Sequence, residues 1–416
     1  MLWGLLLKRL IARGSLRVTD AKGKDHYYGN QGELPAAHIR LHDKRLHLNL
    51  LLNPGLHVGE AYMNGTLTVE SGSTLRDVLT LFIMNLQLER PPAMRWIERL
   101  DRCLRAIQQY NPVSRTRGNV AHHYDLNEKL YESFLDKDMQ YSCAYFTDEQ
   151  ESLEEAQYNK KKHIAAKLQI TPGMRVLDIG CGFGGMALYL ARELGAHVVG
   201  LTLSEEQLTR ARERAREEGL ERQVEFHLRD YRNETGEYDR IVSVGMFEHV
   251  GVLYYPDYFA KVKSLLKPDG IALIHSISRA DGPGTTNQWL RKYIFPGGYS
   301  PAMSEVLPVI EQCGLWITDI EILRMHYALT IAEWYRRFEA NRQKIASLYD
   351  ERFCRMWEFY LLACELQFSH CDMMVFQMQI TRDMKAVPFT RDYIFECERA
   401  LSNTQKLPSP KRYAVH

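Results

Sequence analysis

The chain has no surplus of either charge: 53 Lys and Arg stand against 52 Asp and Glu, a formal net charge of +1. Such a balance gives no global pull on nucleic acid or anionic lipid, although local patches are still allowed. There is no basic, aromatic-studded stretch of the kind that grips a phosphate backbone, which disfavours a nucleic-acid enzyme. None of the eight cysteines forms a C-x-x-C pair, so the common zinc and redox spacings are missing and no metal site is expected. Scattered cysteines without a framework fit a reducing compartment. No internal repeat or low-complexity segment interrupts the chain. No hydrophobic run reaches the roughly 20 residues that span a bilayer. The longest early one, at the N-terminus, stops at Lys8. Its positive charges follow the apolar part, the wrong order for a signal peptide. Trp3, Leu6, Leu7, Leu10 and Ile11 recur at helical spacing with Lys8, Arg9, Arg13 and Arg17 between them. This is an amphipathic helix, which either packs on its own domain or lies in a membrane surface.

What is present begins with VLDIGCGFGG at 176–185, a buried strand running into a glycine-rich turn and a helix over 186–194. Glycines there let the backbone approach a ligand, and the helix start offers free N–H groups. A phosphate-cradling loop would end in Lys-Ser/Thr, but Gly185 is followed by Met186 and Ala187. Gly180, Gly182 and Gly185 fit the dinucleotide spacing G-x-G-x-x-G only loosely. Asp178, two residues before Gly180, would repel a pyrophosphate and suits a cationic ligand.

From residue 119 the pattern is strand-helix alternation. Strands are expected at 175–179, 197–203, 224–228, 240–244 and 271–277, and helices at 206–218 and 258–266. Such alternation predicts an α/β fold with a doubly wound, mostly parallel sheet, whose ligands sit at the carboxyl ends of the strands. A length of 416 residues fits two to three domains. The division expected is a smaller α+β N-terminal domain (1–90), a linker (91–118), a catalytic domain (119–397) and a basic, Pro-containing tail (398–416). Within the first, 38–41 and 46–52 read as strands, 56–62 as the start of a helix, 66–69 as a strand, and 75–88 as a helix capped by Ser73. The aromatic and Met-rich stretch 353–378 reads as one helix, either core or the lining of a hydrocarbon tunnel together with 292–298.

Hydrophobic-Asp-hydrophobic-Gly-x-Gly-x-Gly resembles motif I of the class I S-adenosylmethionine (SAM)-dependent methyltransferases, which share a Rossmann-like fold. Further segments narrow the resemblance: AHHYDLNEKLYESFLDKDMQYSCAYF (121–146), VVGLTLSEEQ (198–207), RDYR (229–232), YDRIVSVGMFEHVG (238–251), KYIFPGG (292–298) and HYALTIAEWYRRF (326–338). Together with GEAYMNGTLTVE (59–70), they resemble the cyclopropane-fatty-acyl-phospholipid synthases, relatives of the mycolic acid cyclopropane synthases.

The resemblance implies SAM as methyl donor and a cis alkene of an acyl chain as acceptor. Attack of the π bond on the sulfonium methyl leaves a carbocation. Loss of a proton from the new methyl then closes the ring. In the family the base is a bound bicarbonate, and its ligands map onto Cys143, Glu248, His275, the N–H of Ile277, and Tyr327. Cofactor contacts map onto Tyr141, Ser142, Asp178, Gly180, Gly182, Thr202, Leu203, Gln207 and Asp230. The second strand ends GLTLS without the ribose-binding acid common in the wider class, a departure that matches this family. The implied partner is unsaturated phospholipid, reached by peripheral association with the cytoplasmic face of the cell membrane, with the N-terminal region as docking module; a homodimer is also envisaged. The close rival is methyl addition without ring closure, giving a branched chain.

Overall fold

The computed structural model describes residues 2–70, 72–88 and 128–402. The expected linker, the first residues of the 121–146 segment and the last part of the tail lie outside them. The chain divides into two compact units. One joins the N-terminal region to residues 285–296 and 328–372; the other holds the intervening and remaining segments. The single cut expected near residue 90 is therefore replaced by an interleaved division.

In the first unit, strands β1 (Ser15–Thr19), β2 (Asp25–Gly29), β3 (Ala36–Leu41) and β4 (Leu67–Val69) form a sheet of order β2-β1-β3-β4. The helix Leu2–Leu10 packs on it. Trp3, Leu7, Leu10 and Ile11 join Leu16, Val18, Ile39 and Leu41 in one core. That answers the question left open by the N-terminal sequence: the apolar face is filled by its own domain. Leu46–Leu52 is a helix, not the expected strand. Its alternating leucines mimic a strand, yet Leu46 and Leu50, one turn apart, carry the burial, and leucine is a strong helix former. The helix Leu75–Leu88 is capped by Thr74 instead of Ser73. The Thr74 hydroxyl accepts from the Asp77 N–H (3.2 Å) while Asp77 accepts from the Thr74 N–H (2.8 Å). Ser73 Oγ instead accepts from the His38 N–H on β3.

The later segments of this unit are bound to the early ones by buried and charged contacts. Trp289 is buried with its Nε1 3.1 Å from Met63 Sδ and its ring against Phe359. Glu60 accepts from Lys292 (2.7 Å) and Tyr293 (2.8 Å), and Arg76 makes a two-pronged pair with Glu365.

The second unit is built on strands β5 (Arg175–Ile179), β6 (His197–Thr202), β7 (Val224–Leu228), β8 (Tyr238–Val244), β9 (Leu266–Arg279), β10 (Trp316–Leu323) and β11 (Met373–Thr381). Their order is β10-β11-β9-β8-β5-β6-β7. β5 to β9 run parallel, and β11 is antiparallel to both neighbours. Separate apolar cores cover the two faces. One is built around Ile164, Leu188, Leu190 and Phe226, the other around Phe247, Tyr258, Phe259 and Phe376. This is the doubly wound α/β fold expected, with order reversing at β5, where β6 and β8 leave in opposite directions. The stretch 353–378 is not one helix: it divides into the helix Glu351–His370 and β11. Met378 and Phe376 are sheet core, so their apolar character reflects the centre of a sheet.

Candidate functional site

The glycine turn leaves β5 at the point where the sheet order reverses. Gly180, Gly182 and Gly184 all adopt positive φ (+83°, +55° and +84°), a region closed to most side chains. A Cβ at Gly184 would stand 2.7 Å from the Phe226 ring, whereas one at Gly182 would meet nothing within 4 Å. Gly184 thus serves packing, and Gly182 leaves a space for a ligand.

Two connected hollows open on this turn, sharing Gly180, Gln207 and Gly245. The first, open to solvent, spans about 610 Å³ between Gln140–Ser142, Asp178 and the glycine turn. The second, likewise open, spans about 670 Å³ between Thr202–Leu203, Arg229–Arg232, Met246, His249 and Val250. All the expected cofactor residues line one or both.

Asp178 is buried, and its Oδ2 has no hydrogen-bond partner among the described residues. Desolvation pushes its carboxyl up to about 7 against a weaker opposing pull from Lys160. An uncompensated buried carboxylate on the wall of a hollow is a site for a cation. Ser204 caps the helix Glu205–Glu217, and Thr202 Oγ1 lies 2.9 Å from Gln207 Oε1. Asp230 caps a short turn, and its carboxylate forms a two-pronged pair with Arg232 (2.9 and 2.6 Å). Expected among the cofactor contacts, it directs its oxygens to the guanidinium beside the hollow.

Of the second set of expected residues, the structure joins Glu248 to Ile277 and the His275 backbone to Gly245. Glu248 sits on a short turn with its Oε1 accepting from the Ile277 N–H at 2.6 Å. Its Oε2 has no partner among the described residues, and burial raises the carboxyl to about 7. The Ile277 amide, expected to serve an anion, is therefore engaged by Glu248. His275 lies two residues earlier on β9, buried, with its carbonyl accepting from the Gly245 N–H (2.9 Å). Desolvation pushes its imidazole well below the usual range. Cys143 is buried beside Ser142, and its thiol approaches the Ala144 carbonyl. Tyr327 is buried in the first turn of the helix His326–Ala340. That turn meets the 141–146 segment, since the Phe146 N–H donates to His326 Nδ1 (3.0 Å) and the Tyr145 ring stacks on His326.

Lys160, Lys161 and Arg214 were not foreseen here. Lys160, fully buried, donates to Gln140 Oε1 (2.8 Å) and Ser142 Oγ (2.7 Å); desolvation lowers it to about 8. His249 lines the second hollow, and burial drops its imidazole to about 4, so it is neutral there. Lys161 and Arg214 both hold Asp138 beneath the glycine turn. The only sequence signal for the lysine was periodic: Lys160, His163 and Lys167 share one helix face of Leu153–Leu168, which is buried.

Comparison with known proteins agrees with this geometry. A family model described as mycolic acid cyclopropane synthetase matches residues 112–378, and one described only as a domain of unknown function matches 3–87. The chain is 38% identical to the cyclopropane-fatty-acyl-phospholipid synthase of Escherichia coli, over 92% of this chain and 94% of that one. It is 36% identical to the tuberculostearic acid methyltransferase UfaA1 of Mycobacterium tuberculosis, over 78% of each. Among solved structures, the cyclopropane synthase MmaA2 of M. tuberculosis superposes with a TM-score of 0.61 at 31% identity, covering 65% of this chain and 99% of that one. The mycolic acid cyclopropane synthase CmaA1 complexed with SAH and CTAB gives 0.61 at 30% identity with the same coverage. With a reversed-order α/β sheet, a glycine turn that leaves room at Gly182 and a buried acid beside it, this chain belongs to the mycolic acid cyclopropane synthetase family.

Proposed function

We propose that this protein is a SAM-dependent methyltransferase that builds a cyclopropane ring on the cis double bond of unsaturated phospholipid acyl chains. In that reading SAM supplies an electrophilic methyl group and bicarbonate a weakly nucleophilic base. Asp178 accepts the ammonium of the cofactor's methionine part, and Gly180 and Gly182 let the backbone lie against it. Tyr141 and Ser142 close that hollow. Thr202, Leu203 and Gln207 frame the nucleoside, with Asp230 acting at its far end through Arg232.

The observation that carries the ring-closing step is the buried Glu248 carboxylate joined to the Ile277 amide, close in the chain to His275. A methylated cation that must lose a proton needs an acceptor which is not itself methylated. Glu248 Oε2 is the acceptor for the O–H of a bound bicarbonate, drawing proton density from it. His275, Cys143 and Tyr327 supply donors, and the Tyr327 ring supplies a π face to positive charge. The Ile277 amide serves by holding Glu248 in place.

Membrane contact is assigned to the first unit. Leu5, Leu48 and Leu52 are exposed there (62%, 56% and 62%), among exposed Lys8, Arg9, Lys44 and Arg45. Exposed leucines with basic neighbours suit an anionic bilayer surface. No described helix is long and apolar enough to cross a membrane. The reading places the enzyme peripherally on the cytoplasmic face of the cell membrane, and no described cysteine is in a disulfide.

The deciding experiment is incubation with SAM and vesicles of cis-unsaturated phospholipid. Mass spectrometry of the released fatty acids should show a gain of one CH₂, and proton NMR the ring resonances. A methyl-branch signal in their place would move the assignment to the branching reaction. Turnover should fall when bicarbonate is stripped from the buffer and return when it is restored.

A further inference from the structure

Behind His275 lies a buried polar group that the reading above does not use. Gln377 stands directly opposite His275 in the antiparallel register of β9 and β11, and its Nε2 is 3.3 Å from His275 Nδ1. The other end of the same amide, Oε1, accepts from Lys167 Nζ at 3.0 Å. Gln377 and His275 are buried, as is Lys167. Lys167 is held in turn by Glu321, with Asp319 at 3.7 Å. Glu321 also meets His163 Nε2 (2.6 Å), whose Nδ1 meets Glu398 (2.5 Å).

The chemistry of the donors leaves one arrangement. An ammonium only donates, so the amide oxygen of Gln377 must face Lys167 and its NH₂ must face the histidine. The reversed amide would set NH₂ against ammonium, two donors with no acceptor, in a buried site. The NH₂ then needs an acceptor, and Nδ1 provides one only when it carries no proton. We propose that Gln377, clamped by Lys167, is a positioning residue that fixes neutral His275 as the Nε2–H tautomer, so that the ring offers an N–H donor and not a lone pair. The charged and titratable groups around the imidazole are Lys160, Lys167 and His163 from the helix Leu153–Leu168, and Glu321 from β10. The two lysines push the imidazole down and so favour the neutral ring, against a weaker opposing pull from Glu321.

This rests on the reading above only for what the N–H serves. An N–H donor suits an anion and makes His275 a ligand of the base instead of the base itself. The tautomer stands on the Lys167–Gln377–His275 geometry alone.

The test is ¹⁵N–¹H NMR of full-length protein labelled at histidine, with the His275 signal identified by its loss in His275→Ala. The wild type should show Nε2–H and an unprotonated Nδ1. Gln377→Glu replaces the donor with an acceptor and should convert the ring to Nδ1–H, lowering kcat about 10- to 100-fold while KM for SAM stays within about twofold. Lys167→Met should let the amide turn and give mixed tautomers; Lys167→Arg, which keeps a donor, should restore the single form. An Nδ1–H signal in the wild type overturns the proposal, as does an unchanged kcat once Gln377→Glu has reversed the tautomer. If wild-type turnover proves independent of bicarbonate while the NMR result holds, the base assignment fails and the tautomer assignment survives.

Discussion

Asp178 shows how one residue couples stability to binding. Its folded-state pKa of about 7 lies above that of an exposed aspartate, so the folded protein favours the protonated form. The sign follows: without ligand, stability is greatest below about pH 4 as far as this group is concerned, and declines as pH rises towards 7. Asp178→Asn should therefore stabilise the ligand-free protein at pH 8, on the order of 4 kcal/mol, while abolishing SAM binding. Thermal melts and calorimetric titration with SAM check both halves. By the same sign, wild-type SAM affinity should rise with pH towards 7, as the acid ionises to meet a cation. Glu248, also raised to about 7, separates chemistry from binding. Glu248→Gln should keep SAM affinity within a few-fold and cut turnover by about 100-fold or more. Its pH-rate profile should lose the limb near 7.

Asp178 was legible because it carries its meaning in local sequence, whereas Glu248 was read only through the resemblance that MFEHVG carries. An acid two places before a glycine turn is read from neighbours alone. Lys160 and Gln377 were not legible, because a lysine in NKKKH or a glutamine in a strand acquires its role only from partners far along the chain. Asp230 shows the intermediate case. It lines the second hollow, but its oxygens go to Arg232 two residues on, a local pairing that sequence allows without requiring.

At the level of elements, the helix Leu153–Leu168 organises the site from behind. It opens with a capping box in which the Ser152 side chain accepts from the Glu155 N–H and Glu155 from the Ser152 N–H. It then directs Lys160 to Gln140 and Ser142, and Lys167 to Gln377. Ser152→Ala should cost about 1 kcal/mol of stability, measured by denaturant unfolding. At the glycine turn, Gly184→Ala combines a positive φ with a close approach to Phe226. It should cost about 2 kcal/mol or more, with loss of SAM binding. The parallel strands and their helices were readable because period and spacing agree with the final fold. Two elements misled for physical reasons: Leu46–Leu52 alternates like a strand while folding as a helix, and 353–378 carries its aromatic and Met load across both a helix and a sheet strand. An apolar load that continues from helix to strand hides the change of period between them.

For the whole molecule, the docking assignment predicts a separable defect. Leu48→Asp with Leu52→Asp, or Lys8→Glu with Arg9→Glu, should reduce flotation with anionic vesicles and slow turnover on vesicles. SAM affinity should stay at the wild-type level, because these positions belong to the unit without the glycine turn. Equal flotation of both variants and wild type would remove that surface from consideration. Point substitutions are preferable to removing residues 1–90, which would strip Trp289 and Glu365 of Met63 and Arg76.

The interleaving of the two units also sets an order in time. On the ribosome the N-terminal sheet emerges early, and domains generally fold as their residues appear. Here Gly59, against whose backbone Trp289 lies, and Tyr62, whose hydroxyl donates to Glu358, must wait for segments made more than two hundred residues later. Until then their apolar surface is open to whatever is nearby, and a nascent chain left in this half-finished state is a natural client for a chaperone.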